Sequence, residues 1–272
     1  MSRLAIWLVG AILLSAGCSS LERGLVYYPV RSPRKSLPPD APVKDVYLTS
    51  RDNNLIHARW APHPDSKGAL LLCHGNAGNL EHRGELVHKL WSTQKLSVLI
   101  FDYPGYGQST GEPSEEGCFA SARAAYEWLS KTQNVDPSEI VICGQSLGGA
   151  VAVQLASERP HKALVLVRTF TSIPDVARAN SIFGSVAAPI MSERFASFEA
   201  IQKCRRPVFF AQADKDELIP FHHTERLQQS LPESVPRVMH VLRGLGHNDP
   251  LPADFYATLR EFLNDVDASV TN

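Results

Sequence analysis

Short apolar runs recur along the chain without polar alternation, and they predict buried β-strands. Six of these runs span residues 70–73, 98–101, 140–143, 163–167, 208–211 and 238–242. Unbroken apolar runs are typical of strands in a parallel sheet whose two faces are covered by helices. The segments between them predict helices near 81–94, 115–132, 147–158, 221–230 and 254–266. The alternation of strand and helix therefore predicts an α/β fold with a mostly parallel, twisted sheet.

Two regions depart from this alternation. Residues 46–49 and 55–60 flank an Asp-Asn-Asn turn and predict an N-terminal antiparallel hairpin. Residues 168–204 interrupt the pattern and predict a short lid insert above the carboxyl edge of the sheet. The apolar residues of this insert predict a groove for an acyl chain, or alternatively a seal between lid and core; they are Ile173, Val176, Ile182, Phe183, Val186, Ile190, Met191 and Phe195.

The stretch from residue 140 to 153 joins a buried strand to an Ala-rich helix through Gly144-Gln145-Ser146-Leu147-Gly148. A G-x-S-x-G pattern between strand and helix holds its serine at the tip of a sharp turn, with the hydroxyl above the sheet. Gly144 and Gly148 have no Cβ, which lets strand and helix approach each other. Ser146 is therefore the candidate nucleophile; the alternative is an ordinary Gly-Ser turn of an α/β protein.

A base and an acid are expected after this serine. Gly246-His247-Asn248 follows the last predicted strand, so His247 is the candidate general base. The acid belongs between Ser146 and His247 in chain order, where it would hold the imidazole tautomer. Asp214 and Asp216 both follow the strand at 208–211. We choose Asp216, because residues 216–220 make a loop that ends in proline just before the next helix.

A Gly-rich strand end is expected to stabilise negative charge beside the serine. His74-Gly75-Asn76-Ala77-Gly78 follows the strand at 70–73 directly before a helix. We predict that the backbone N–H groups of Asn76 and Leu147 form an oxyanion hole. For His74 itself we predict a buried imidazole with a structural hydrogen bond.

Further motifs carry a family resemblance: HGNAGN at 74–79, FDYPGYGQS at 101–109 and GEPSEEG at 111–117. With the serine, acid and histidine motifs in this order, residues 27–266 resemble the α/β-hydrolase family. The resemblance is strongest to the small-lid branch that contains membrane-associated acyl-protein thioesterases and bacterial serine aminopeptidase-like proteins. It implies the α/β-hydrolase fold and a Ser-His-Asp triad. The chain departs from that branch at Gln212-Ala213, usually His-Gly, and at Arg168-Thr169, usually Ser-Pro.

The first residues of the chain predict an export signal rather than a part of the folded domain. Arg3 precedes an apolar run at residues 4–14 that is short for a bilayer span and is typical of a secretory signal peptide. Ser15-Ala16-Gly17-Cys18 resembles the lipobox of bacterial lipoproteins. That resemblance implies removal of residues 1–17, a lipid anchor on Cys18 and, since Ser19 is not Asp, an outer-membrane location facing the periplasm. Residues 18–41 then form a tether and 42–272 the hydrolase domain; the alternative is an uncleaved signal anchor.

Charge and cysteine content limit the kinds of partner and cofactor that the sequence predicts. A net charge of −1 offers no electrostatic basis for binding nucleic acid. The cysteines left after Cys18 show no disulfide framework, and Cys73 and Cys143 are predicted as buried free thiols. The chain has no CxxC motif and no histidine pair at helical metal spacing, so we predict no structural metal. The oligomeric state is left open.

These observations favour a lipid-anchored serine hydrolase of the bacterial cell envelope that cleaves carboxylic esters or thioesters without a cofactor. Its partners would be a small-molecule or acylated substrate and, through Cys18, the membrane. The alternatives are a serine peptidase that uses the same triad and a non-catalytic envelope lipoprotein that keeps the fold as a binding module.

Overall fold

A central eight-stranded sheet organises the computed structural model, which describes residues 22–31, 42–66, 68–180 and 188–270. Its strands are β2 (Lys44–Thr49), β3 (Leu55–Ala61), β4 (Ala69–Cys73), β6 (Ser97–Phe101), β7 (Ile140–Gln145), β8 (Ala163–Val167), β9 (Val208–Ala213) and β10 (Arg237–Leu242). Their spatial order is β10-β9-β8-β7-β4-β6-β3-β2. Five neighbouring pairs from β10 to β6 are parallel, whereas β3 runs antiparallel to both β6 and β2. The predicted fold class and hairpin are confirmed.

Helices cover both faces of this sheet. They are α1 (Gly84–Gln94), α2 (Glu115–Glu127), α3 (Leu147–Glu158), α4 (Ile173–Asn180), α5 (Ser197–Ala200), α6 (His222–Ser230) and α7 (Ala253–Val270). A 3₁₀ turn over Leu80–Arg83 precedes α1, and a π-helical segment over Trp128–Thr132 extends α2. The five predicted helices therefore appear within a few residues of their expected bounds, while α4 and α5 lie inside the insert.

The core consists of two apolar layers separated by the sheet. Alternate residues of one strand point to opposite faces, so Leu71 packs into the layer that includes α3, and Leu70 packs into the layer that includes α1 and α7. Both leucines are fully buried. Covering both faces explains why the central strands carry no polar alternation.

The N-terminal segment, residues 22–31, contacts the domain and contains more regular structure than its assignment to a tether suggested. Residues 22–26 form a helical turn, and β1 (Tyr28–Pro29) pairs in parallel with β5 (Ala77–Gly78). Tyr27 is 3% exposed and belongs to the core, whereas Tyr28 is 51% exposed. The predicted signal peptide and the lipidation residue Cys18 lie outside the described residues.

Candidate active site

Ser146 stands at the turn between β7 and α3 with φ 54° and ψ −120°, a left-handed conformation that a serine adopts only under constraint. Its N–H donates to the Val167 carbonyl at 2.9 Å, and its own carbonyl accepts from Thr169 Oγ1 at 2.9 Å. A Cβ at Gly144 would collide with the Gly148 carbonyl, and one at Gly148 with the Cys73 carbonyl. Both glycines are therefore required for strand and helix to meet at this angle.

The structure brings Ser146, His247 and Asp216 together from three separate loops. His247 Nε2 lies 3.1 Å from Ser146 Oγ, and its Nδ1 lies 2.8 Å from Asp216 Oδ2. The His247 residue is 7% exposed and the Asp216 side chain is fully buried. A hydroxyl, an imidazole and a carboxylate joined in this order have the geometry of an activated nucleophile.

The Asp216 carboxylate is held by more donors than the histidine alone. Its Oδ1 accepts from the N–H groups of Leu218 at 3.0 Å and Ile219 at 2.7 Å. Gln212 Nε2 donates to its Oδ2 at 3.2 Å and to the Ile219 carbonyl at 2.8 Å. Gln212, at which the chain departs from the usual sequence of the branch, thus contacts the acid.

Asp214 lies on the same loop but points elsewhere. Its Oδ1 accepts from Gly244 N–H at 2.6 Å, and the residue is exposed. The structure therefore places Asp216, and not Asp214, beside His247.

The loop after β4 lies against the serine. A Cβ added at Gly75 would lie 3.6 Å from Ser146 Cβ, so the loop that carries Asn76 passes beside the nucleophile at Gly75. The Asn76 carbonyl accepts from Tyr28 N–H at 3.0 Å and from Tyr106 Oη at 2.6 Å, and its Nδ2 donates to Val26 O at 3.0 Å. Asn76 is therefore fixed by the N-terminal segment. Leu147, the other predicted donor, is the first residue of α3.

His74 is 1% exposed, and its ring contacts other groups than Ser146. Its Nδ1 lies 2.7 Å from the Gly75 carbonyl, and its Nε2 lies 3.2 Å from Asp102 Oδ1. Burial opposes ionisation of Asp102, but the neighbouring histidines His57 and His74 and the Leu80 N–H outweigh it and lower the pKa of that carboxyl. Asp102 also accepts from Leu80 N–H at 2.7 Å. The pair thus ties both ends of the loop that contains Asn76.

Arg168 holds the loop that carries His247 through two hydrogen bonds to its backbone. It is 1% exposed, has φ 50°, and donates from Nη1 to the carbonyls of His247 at 2.9 Å and Asp249 at 2.6 Å. Burial lowers the pKa of its guanidinium, although Asp216, Asp249 and Glu217 act in the opposite direction. Sequence reasoning identified Arg168 as a departure but assigned it to the lid, and its contact with His247 was missed.

The insert contributes to the core as well as to the site. Phe195 is 1% exposed and packs edge-on against Tyr27 and Phe119, while Ile173 and Val176 pack against the core layer. These three side chains act as the predicted seal. Ile190 is 76% exposed. Met191 is partly buried, and Ile182, Phe183 and Val186 lie outside the described residues.

A cavity of about 190 Å³ opens beside the serine and histidine loops. Gln145, Asn248 and Asp249 line one side of it, and Arg83 and Lys89 line the side formed by α1. Burial lowers the pKa of Arg83. The cavity borders the chain neighbours of Ser146 and His247, but neither of those two residues lines it.

The four cysteines of the described residues are buried free thiols. They are Cys73, Cys118, Cys143 and Cys204, and burial raises the pKa of Cys143 and of Cys204 to about 12. In the part of the chain that the structure describes, no group of three or more His, Cys, Asp or Glu residues is placed to hold a metal ion. No helix among residues 22–31, 42–66, 68–180 and 188–270 has the length and apolarity to cross a bilayer.

Comparisons with known proteins agree with this architecture. A family model described as the alpha/beta hydrolase fold matches residues 68–189. An uncharacterized protein of Mycobacterium tuberculosis is 38% identical over 259 residues, covering 91% of this chain and 89% of that protein. The alpha/beta hydrolase domain-containing protein WAV2 of Arabidopsis thaliana is 34% identical over 244 residues, covering 82% and 78%.

A solved structure has the same fold at lower identity. An esterase of Pyrococcus furiosus superposes with a TM-score of 0.74 at 19% identity, covering 88% of this chain and 97% of the esterase chain. The relatives, together with the family model, place the chain in the α/β-hydrolase family. The family resemblance seen in the sequence is thereby confirmed.

Proposed function

We propose that this protein is a serine hydrolase that cleaves carboxylic ester or thioester bonds through an acyl-enzyme. The observation that carries the proposal is the continuous chain of contacts from Ser146 Oγ through the His247 ring to Asp216, with 3.1 Å and 2.8 Å between the paired atoms. The strained turn at Ser146 and the buried carboxylate support it, because both are costly unless the arrangement is used.

Each residue has one task in the proposed reaction. Ser146 Oγ attacks the acyl carbonyl while His247 Nε2 accepts the hydroxyl proton. Asp216 holds Nδ1–H and stabilises the imidazolium. The tetrahedral oxyanion accepts hydrogen bonds from the backbone N–H groups of Asn76 and Leu147, each worth about 3 kcal/mol in characterised enzymes. His247 then protonates the leaving alcohol or thiol, and water attacks the acyl-enzyme by the same route.

The proposed location is the bacterial cell envelope. Cys18 would carry the lipid, and the domain would face the periplasm at the outer membrane. The sequence around Cys18 supports this, because small residues before a cysteine at the end of a signal-like apolar run are what lipoprotein processing requires.

An active-site probe tests the chemistry. A fluorophosphonate should label the wild-type protein, and Ser146→Ala should abolish both labelling and hydrolysis of p-nitrophenyl butyrate. Ser138→Ala is a matched control, because Ser138 is a distant serine in the 3₁₀ turn before β7. Equal labelling of the wild type and Ser146→Ala would contradict the proposal. Labelling without hydrolysis of any ester, together with cleavage of amino-acid amides, would favour the peptidase.

The acyl side of the substrate is tested by chain length. If apolar residues of the insert form an acyl groove, kcat/KM should rise from acetate to a medium chain by up to ~0.8 kcal/mol per buried methylene and then level off. Met191→Ser should flatten the rise and leave acetate hydrolysis nearly unchanged. A profile that falls from acetate onward would reject an acyl groove.

A further inference from the structure

Exposed apolar side chains are concentrated at one place on the surface. Seven large apolar residues among the described part of the chain are exposed, and three of them fall within residues 22–31. They are Leu25 at 67%, Tyr28 at 51% and Val30 at 40%. Ile190 in the adjoining insert is 76% exposed. We call these four residues the docking face, because a cluster of this kind indicates an interaction surface rather than scattered exposure.

Polar contacts hold the two parts of the docking face side by side. Glu22 Oε2 accepts from Ser192 N–H at 3.0 Å and from Ser192 Oγ at 2.7 Å. Glu22 Oε1 accepts from Glu193 N–H at 2.8 Å, and Arg23 lies 3.4 Å from the Glu193 carboxylate. The helical turn that carries Leu25 is thus fixed against the chain that directly follows Ile190.

The length of the preceding chain indicates what covers this face. Cys18 stands four residues before Glu22, and an extended residue spans at most about 3.6 Å, so a lipid on Cys18 keeps Glu22 within about 14 Å of the bilayer surface. If the apolar run at 4–14 stays in the membrane instead, the limit is about 29 Å. Both arrangements hold the docking face beside a membrane.

The charges around the face suit an anionic lipid surface. Arg23 and Arg31 have 45% and 62% of their side chains exposed, although Arg23 is paired with Glu193 and Arg31 with Glu112, and Arg194 is exposed next to Glu193. Basic side chains around a partly exposed apolar surface favour insertion at the headgroup boundary of membranes that contain anionic phospholipid.

We propose that the docking face rests on the bilayer and turns the mouth of the candidate active site toward it. The inference rests on the proposed membrane anchor and deepens the proposed hydrolase function. Residues 22–31 contact the insert through Glu22 and the Asn76 loop through Tyr28, and that loop lies against Ser146. A bilayer on this face would therefore present acyl chains next to Ser146. The substrate class is an acyl ester or thioester that resides in the membrane.

Site-specific fluorescence tests this orientation in the full-length protein. Leu25→Cys, Ile190→Cys and the control Lys131→Cys would each be labelled with a nitrobenzoxadiazole thiol reagent. The native domain cysteines are buried with raised thiol pKa values, so the label goes to the introduced residue. Lys131 is a suitable control because its side chain is 72% exposed and lies at the amino edge of the sheet. It stands two residues before Gln133, which lines a cavity together with Ser97, the first residue of β6.

The labelled proteins would be reconstituted in vesicles of phosphatidylethanolamine and phosphatidylglycerol, with and without doxyl-labelled lipid. The emission of the labels at 25 and 190 should shift to shorter wavelength and be quenched by doxyl lipid. The label at 131 should keep the emission of a probe in water. Vesicle-bound protein whose three labels all report water would overturn the docking proposal and leave the hydrolase proposal intact. Wild-type protein that does not pellet with vesicles would overturn both anchor and docking.

A kinetic measurement tests whether the docking face is needed for hydrolysis of a membrane-embedded substrate. Leu25→Ser should lower hydrolysis of a long-chain acyl ester embedded in the vesicles by about tenfold, since it removes the largest part of the inserted side-chain surface on the helical turn. Hydrolysis of soluble p-nitrophenyl butyrate should remain at the wild-type rate. An equal loss on both substrates would overturn the docking proposal, and absence of any ester hydrolysis by the wild type would overturn the proposed function independently of the fluorescence.

Discussion

Arg168 offers a test in which stability and catalysis are expected to respond differently. Its buried guanidinium donates to the carbonyls of His247 and Asp249, and these contacts hold the loop that presents the His247 ring to Ser146. Arg168→Met removes both hydrogen bonds and the charge while it keeps an unbranched apolar side chain at the position. The change does not touch Ser146, Asp216 or the ring itself.

The expected loss of stability is modest because two effects oppose each other. Hydrogen bonds from a charged donor are worth about 1.5–3 kcal/mol each, so losing two costs roughly 3–6 kcal/mol. The guanidinium is also costly to bury: its Nε and Nη2 have no hydrogen-bond partner within the described residues, and burial lowers its pKa. Replacing a buried charge by a well-packed apolar group returns about 1–4 kcal/mol. We therefore expect the free energy of unfolding to fall by only about 2 kcal/mol.

The expected loss of activity is large compared with this modest loss of stability. A loop displacement of about 1 Å at a reacting group costs on the order of 100-fold in rate. For Arg168→Met we expect kcat on p-nitrophenyl butyrate to fall by about 10- to 100-fold with KM nearly unchanged, since the substrate-binding surfaces are intact. Arg168→Lys keeps a cationic donor and should recover part of kcat.

The assay compares this variant with Arg206→Met. Arg206 also donates to backbone carbonyls, those of His161 and Lys162, but it precedes β9 at the amino edge of the sheet, away from the site. Urea unfolding and steady-state kinetics on both variants separate a general loss of packing from a displaced histidine. Wild-type kcat in Arg168→Met would refute the positioning role, and so would an equal fall of kcat in the two variants.

Three further predictions address the acid, the anchor and the response to pH. Asp216→Asn should lower kcat by about 10⁴ by leaving His247 in the wrong tautomer, and Asp214→Asn should be mild; stopped-flow kinetics showing the reverse order would move the acid by two residues. Cys18→Ala should abolish labelling by a palmitate analogue, and equal labelling of both proteins would reject the lipoprotein assignment. Burial and His222 lower the pKa of His223 to about 4, so its stabilising contribution is complete above pH 6.5 and declines toward pH 4. Between pH 7 and 5 the wild type should lose about 2 kcal/mol more unfolding free energy than His223→Asn, and parallel urea curves would contradict this.

Local sequence was sufficient for the strands of the main sheet, the five helices that connect or follow them and the serine turn. The β7–α3 turn is determined within a few residues, because Gly144 and Gly148 are needed where strand and helix touch and the flanking apolar runs specify their own secondary structure. Helix α3 accordingly begins at Leu147 and ends at Glu158, as its composition predicts. The apolar runs also predict which strands are covered on both faces, since burial on two sides excludes polar alternation.

The sequence favours Asp216 over Asp214 only through the loop that ends at Pro220, and the tertiary structure supplies the physical reason. Both aspartates follow β9 two residues apart, and their side chains diverge because the Leu218 and Ile219 N–H groups hold one while Gly244 N–H, thirty residues away, holds the other. Nothing local in the sequence encodes the partner of an exposed loop carboxylate. Strand order decides it, because β10 lies beside β9 and brings its own loop to the same edge.

The same physical reason explains the contacts that sequence analysis missed. Glu22 reaches Ser192 across 170 residues and Arg168 reaches His247 across 79, and in both cases the partner is mainly a backbone group. A backbone N–H or carbonyl is present at nearly every position, so it leaves no mark in the residue pattern. Sequence therefore determines which segments become buried strands and helices and where a serine is placed at a strained turn. The folded chain alone decides which polar side chains meet the backbone of a distant loop, because that depends on how the strands are ordered in the sheet.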